Sequence, residues 1–128
     1  MDNLGLATTL LGVLLAACST AFAGVLFSHV LVDADNPRNP HCKAVGDVNN
    51  DGKCDLLVGS AGGDGVVWYE APHWTKHLIA PGSYSTNMTV GDMDGDGDLD
   101  VIIPDAKGGS VFWFENPLPN GDPARDPW

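Results

Sequence analysis

Nine residues, Asp47-Val48-Asn49-Asn50-Asp51-Gly52-Lys53-Cys54-Asp55, return 45 residues later as Asp92-Met93-Asp94-Gly95-Asp96-Gly97-Asp98-Leu99-Asp100. Both copies read D-x-[DN]-x-D-G-x-x-D. Each follows Val-Gly and runs into an apolar stretch, Leu56-Leu57-Val58 or Val101-Ile102-Ile103. The duplication constrains the chain twice over. It demands an oxygen-rich loop that closes on itself, and it demands a repeated structural unit.

The loop chemistry points to a hard cation. Positions 1, 3 and 5 send alternate side-chain oxygens toward one point, glycine at position 6 allows the sharp return, and position 9 adds a carboxylate. With no His or Cys at a ligand position, the set suits calcium rather than zinc. Helix–loop–helix calcium motifs need an acid at position 12, where this chain has Val58 or Ile103. A bound cation would therefore staple strand to strand. Ordinary Asx turns use the same residue types, but the second loop holds Asp92, Asp94, Asp96, Asp98 and Asp100 within nine residues. Like charges at ~5 Å repel by roughly 1 kcal/mol each even at high dielectric, so such a loop resists closing without a counter-ion.

The repeat extends past the loops. Gly63-Asp64-Gly65-Val66-Val67-Trp68-Tyr69-Glu70-Ala71-Pro72 aligns with Gly108-Gly109-Ser110-Val111-Phe112-Trp113-Phe114-Glu115-Asn116-Pro117. Lys76-His77-Leu78-Ile79-Ala80 is echoed upstream by Ser28-His29-Val30-Leu31-Val32. A period near 45 with short apolar runs points to propeller blades or a similar array. These residues resemble the FG-GAP/VCBS-type repeat of calcium-binding β-propellers, the repeat also found in integrin α-chain propellers. The resemblance spans residues 27 to 117. It implies two Ca²⁺ sites, each held by side chains at positions 1, 3, 5 and 9 and the carbonyl at position 7. The implied ligands are Asp47, Asn49, Asp51, Lys53 (carbonyl) and Asp55, then Asp92, Asp94, Asp96, Asp98 (carbonyl) and Asp100.

The expected fold is all-β, about two four-stranded antiparallel blades, with repeats over about 27–80 and 81–128. Strands are expected at 27–32, 42–46, 55–59, 65–70, 76–80, 86–91, 99–103 and 110–115, parted by Gly, Pro, Asn and Asp clusters. Residues 42–80 make one full blade and 86–115 three strands of a second. Residues 27–32 stand as an outer strand with no blade before it. Closed propellers have about 4–8 blades, so two blades are expected to be a fragment of a larger propeller or, alternatively, a short chain whose copies join head-to-tail. Trp128 stands where Trp74 opens the outer strand of the complete blade.

Residues 4–17 are apolar but too few to span a bilayer comfortably. Ala21-Phe22-Ala23 fits a cleavage site for a signal peptide at 1–23, although the usual basic start is missing. Leu15-Ala16-Ala17-Cys18 also resembles a lipoprotein signal, giving Cys18 as the one route to a membrane. Export, whether to the medium, the cell surface or a periplasm, agrees with a calcium-rich compartment. A net charge of −11 argues against nucleic acid and anionic membranes as partners, and two Ca²⁺ would still leave it at −7. A Cys42–Cys54 disulfide is tempting in an exported chain, yet strand register puts position 42 opposite about position 60. Cys54 aligns with Leu99 and is expected to plug the underside of its loop. Asn87-Met88-Thr89 is a glycosylation sequon in a eukaryotic context.

No catalytic set is legible. His29 and His77 align as repeat positions, His73 is isolated, and His41 lacks a counterpart where Thr86 stands. None pairs with a nucleophile, and the serines sit in no nucleophile elbow. Trp68, Tyr69, Trp113 and Phe114 read mainly as packing residues. The expected function is therefore a calcium-binding scaffold or adhesion surface for a protein or glycan. The alternative is the propeller part of an exported carbohydrate-active enzyme whose catalytic residues lie mostly elsewhere.

Overall fold

The computed structural model describes residues 27–35 and 37–128. The leader expected at 1–23, with Cys18 and the Ala21-Phe22-Ala23 site, lies outside the described residues. Among these, seven strands form: β1 (Pro40–Gly46), β2 (Asp55–Ser60), β3 (Val66–Glu70), β4 (Thr75–Ala80), β5 (Thr89–Gly91), β6 (Asp100–Pro104) and β7 (Val111–Phe114). They make a four-stranded sheet in the order β1-β2-β3-β4 and a three-stranded sheet in the order β5-β6-β7, all neighbours antiparallel. The all-β expectation holds, and each sheet is a meander.

Alternation explains how the sheets pack. Ala44, Leu57, Trp68 and His77 lie opposite one another across the first sheet, and Val45, Leu56, Tyr69 and Lys76 form the neighbouring row. Successive side chains point to opposite faces. The Trp68 face turns toward the second sheet, whose Val101, Ile103 and Val90 join Leu57, Val66 and Trp68 in one core. Two glycines let the sheets close. A Cβ on Gly46 would lie 2.8 Å from Leu99 Cδ1, and one on Gly59 would lie 2.5 Å from Cys42 Sγ and 2.8 Å from Ile103 Cδ1. Gly59→Ala is expected to cost about 1–3 kcal/mol through overpacking. A urea titration should show the midpoint fall with an unchanged slope; an unaltered midpoint would mean the sheets have room to spare.

Three expectations need correction. Residues 27–32 form no strand. Their pattern copies β4, but on the first sheet β4 itself already occupies the outer edge of β3, so no edge remains there for them. Residues 27–35 instead run as coil, and Val30 and Val32 help line a cleft of about 420 Å³ with Leu56, Val58 and Tyr69. Second, the strand expected over 86–91 begins only at Thr89. Thr86 takes a left-handed φ of 72°, and its N–H donates to His41 Nδ1 at 3.0 Å. Third, Cys54 is exposed rather than a plug, while Leu99 packs against the core. Cys42 pairs with Gly59 in the strand register, and Cys42 and Cys54 are both free thiols.

Candidate metal centre

The two acidic loops, 47–55 and 92–100, each join the first strand of a sheet to the second. Their internal hydrogen bonds repeat at the 45-residue offset. The N–H of Gly52 donates to Asp47 Oδ2 at 2.8 Å, and that of Gly97 to Asp92 Oδ2 at 3.2 Å. The N–H of Asp51 donates to Asn49 Oδ1 at 3.2 Å, and that of Asp96 to Asp94 Oδ1 at 3.3 Å. The N–H of Lys53 donates to Asp51 Oδ1, and that of Asp98 to Asp96 Oδ1. Glycine at position 6 carries φ of 86° and 97° in the two loops, the left-handed backbone that favours this residue.

Position 9 has a distinct role. Asp55 and Asp100 are both about 1% exposed. Asp55 accepts N–H bonds from Val48 at 3.2 Å and Ala71 at 2.9 Å; Asp100 accepts from Met93 at 3.1 Å and Asn116 at 2.8 Å. Each carboxylate thus clamps the loop to the end of the third strand of its sheet. Burial pushes the Asp55 carboxyl above its usual range, while the bonds from Ala71 and Val48 oppose that shift.

The loops part company in charge. In the second, carboxylate oxygens of Asp92, Asp94 and Asp96 lie within 4.8 Å of one another, a group able to hold a metal ion. Asp98, expected to offer only its carbonyl, has a side chain 3% exposed, and neither carboxylate oxygen has a hydrogen-bond partner. Burial, then the charges of Asp96, Asp100, Asp94 and Asp92, raise its carboxyl to about 6. A buried carboxylate without a partner is costly. A cation among these five acids would relieve it, so the residues fit a calcium ion. In the first loop a lysine supplies positive charge instead. Lys53 Nζ lies 2.7 Å from Asp51 Oδ2, holding the Asp51 carboxyl below its usual range. Asn49 stands where the second loop has Asp94, and its amide donates to Glu70 Oε1 at 3.2 Å.

One residue that sequence reasoning passed over joins the two loops. Asn116 is 2% exposed, and its Nδ2 donates to Val48 O at 2.9 Å and Leu99 O at 3.1 Å. Its signal was a break in the repeat: the aligned residue in the first unit is Ala71. The histidines form no shared centre. His41 accepts from Thr86, whereas His77 stacks on Trp68 at 4.5 Å and sits 2.9 Å from Glu70 Oε2.

Residues 47–103 match the family described as FG-GAP-like repeat. Repeats of this type often bind calcium. No match was found among curated proteins or among solved structures. The matched span begins on the first residue of one acidic loop and runs through the other to β6, the duplicated unit described above. Over residues 47–103, fewer than half of its residues, this chain is similar to FG-GAP-like repeats.

Proposed function

We propose that the chain is an exported calcium-binding β-propeller repeat module that serves as a scaffold and as a binding surface for a protein or glycan. The observation that carries the metal part is the second loop: three clustered carboxylates beside a buried fourth, Asp98, with no hydrogen-bond partner. Asp92, Asp94 and Asp96 would hold the ion, with Asp98 and Asp100 completing the acidic surround. Asp47, Asn49, Asp51 and Asp55 would hold a second ion after Lys53 swings away from Asp51. Calcium here supplies charge neutralisation and loop closure, a structural task that needs no reacting group.

Equilibrium dialysis against calcium tests the reading. The full chain should take up two ions, the tighter one lost in Asp96→Ala. Lys53→Gln should tighten the weaker site, because it removes the competing ammonium. Uptake that is undetectable at millimolar calcium, or unchanged by Asp96→Ala, would sink the proposal. Export agrees with sites that fill at extracellular calcium levels. The acidic surface favours neutral or cationic ligands over nucleic acid.

A further inference from the structure

The two sheets meet along β1 and β5, and this seam is pinned at both ends of β1. At the acidic-loop end, Asn116 Nδ2 donates to Val48 O and Leu99 O. At the other end, where β1 begins and the chain is about to enter β5, the N–H of Thr86 donates to His41 Nδ1 at 3.0 Å. His41 and Thr86 occupy the same position of the two units, 45 residues apart. The first pin joins an amide to two carbonyls, none of which titrates. The second ends on an imidazole.

The connection between the sheets shows what the second pin carries. Residues 82–85 are tied to both sheets. Gly82 O accepts the N–H of Gly65, Tyr84 N–H donates to Ser60 O at 2.8 Å, Ser83 O accepts from Ala106, and Ser85 N–H reaches Pro104 O at 3.4 Å. Met88 is buried in the core, and Thr89 opens β5. Between these anchors lie Thr86 and Asn87, both exposed. Thr86 Oγ1 donates to the carbonyl of Ser85, and Asn87 Oδ1 accepts from Met88, each a neighbour in the chain. Among the described residues, the bond to His41 is the one hydrogen bond from this pair to a distant part of the chain.

Thr86 also holds a backbone that its side chain disfavours. Its φ is 72°. A β-branched residue at positive φ is an outlier, and such a conformation persists where its surroundings impose it. Here the contact is a hydrogen bond from the N–H of the same residue, and that bond has one requirement. To accept from an N–H, Nδ1 needs its lone pair, so the imidazole is neutral with its proton on Nε2. A proton on Nδ1 sets donor against donor. Histidine is the side chain whose charge changes between about pH 5 and 8.

We infer that His41 is a pH-operated latch on the connection between the two sheets. Neutral, it holds Thr86 left-handed and keeps this end of the seam shut. Protonated, it lets go, and Thr86 and Asn87 relax toward ordinary backbone angles while the seam stays closed at Asn116. The direction follows from the acceptor: the latch contributes order at high pH and loses it as pH falls through the histidine range. Thr86 is exposed, so its released N–H is met by water rather than left unpaired, and the molecule opens locally instead of unfolding. The charged and titratable groups on the surrounding elements do not supply this switch. Lys43, two residues along β1, and Lys107 are donors and cannot replace Nδ1 as acceptor. Arg38 and Asp64 pair with each other at 2.9 Å, and Asp105 accepts the N–H of Lys107. Burial pushes the Cys42 thiol and the Tyr84 hydroxyl up, away from this range.

Nuclear magnetic resonance of the labelled full chain tests the latch. The readout is local, because Asp98, its carboxyl raised to about 6, titrates in the same window beyond the opposite end of β1. Run in chelator, the test is independent of the metal reading. From about pH 8 to about pH 5 the Thr86 amide proton should move upfield with the same midpoint as the His41 ring. Its protection from exchange, corrected for the intrinsic rate, should fall roughly two- to tenfold, the loss expected of one net hydrogen bond. The Asn116 side-chain amide should stay protected. His41→Asn places an oxygen close to where Nδ1 stood, an acceptor at every pH, so it should hold the Thr86 amide in place across the whole titration. His41→Ala should give at about pH 8 the Thr86 signal that the wild type gives at about pH 5. A Thr86 amide that ignores pH, that titrates equally in His41→Asn, or that is unmoved by His41→Ala would each overturn the inference.

Discussion

Chelating calcium should lower the melting temperature of the full chain, and restoring millimolar calcium should recover it. An ion at 100 times its dissociation constant stabilises the native state by about 2.7 kcal/mol. In a domain of this size that is a shift on the order of 10 °C. Most of the shift should come from the second loop. Its five carboxylates carry no cation of their own, whereas Lys53 already sits on Asp51 in the first. Asp96→Ala should therefore remove most of the difference between the calcium and chelator curves. Its effect in chelator should be small or favourable, since it relieves repulsion around Asp98. Superimposable melting curves with calcium and with chelator would refute the metal reading.

Asp100→Ala should behave in the opposite way, destabilising the chain as strongly in chelator as in calcium. Asp100 is buried and accepts the N–H groups of Met93 and Asn116. Its removal leaves those donors unpaired, at a cost of about 1–3 kcal/mol each. The sum of about 2–6 kcal/mol is a large part of the 5–15 kcal/mol typical of a whole domain. Chemical denaturation of Asp96→Ala and Asp100→Ala, each with and without calcium, separates a ligand from a brace. If the Asp100→Ala penalty vanished in chelator, Asp100 would act through the ion alone.

The repeat was legible because loop chemistry and period agreed. Gly52 and Gly97 sit where the chain must turn with positive φ, and the apolar runs behind Asp55 and Asp100 became β2 and β6. What sequence could not reveal was which faces are covered. Trp68 and Trp113 are equivalent in sequence and differ in burial because Trp68 has a neighbouring sheet and the stacked His77 of β4, whereas among the described residues Trp113 has neither. Residues 28–32 look like β4 in composition, but a strand exists only where an edge receives it. Cys54 matched Leu99 by alignment, yet only Leu99 has another sheet beneath it. The role of position 9 was half visible. Its carboxylate was expected, its use as a clamp was not, because the partners Ala71 and Asn116 lie 16 residues away across a folded strand.

The two loops do not act as separate fittings, because the Asn116 amide grips Val48 in one and Leu99 in the other. Whatever stills the second loop also holds the carbonyl of Val48, whose N–H is itself bonded to Asp55. Order in one loop thus lowers the entropy cost of order in its neighbour. Rigidity passes between the two sheets through a single asparagine, a link that the first unit, with Ala71 at the aligned position, does not repeat. The amide of Val48 should report it, exchanging faster with solvent when Asp96→Ala slackens the loop on the far side of the interface.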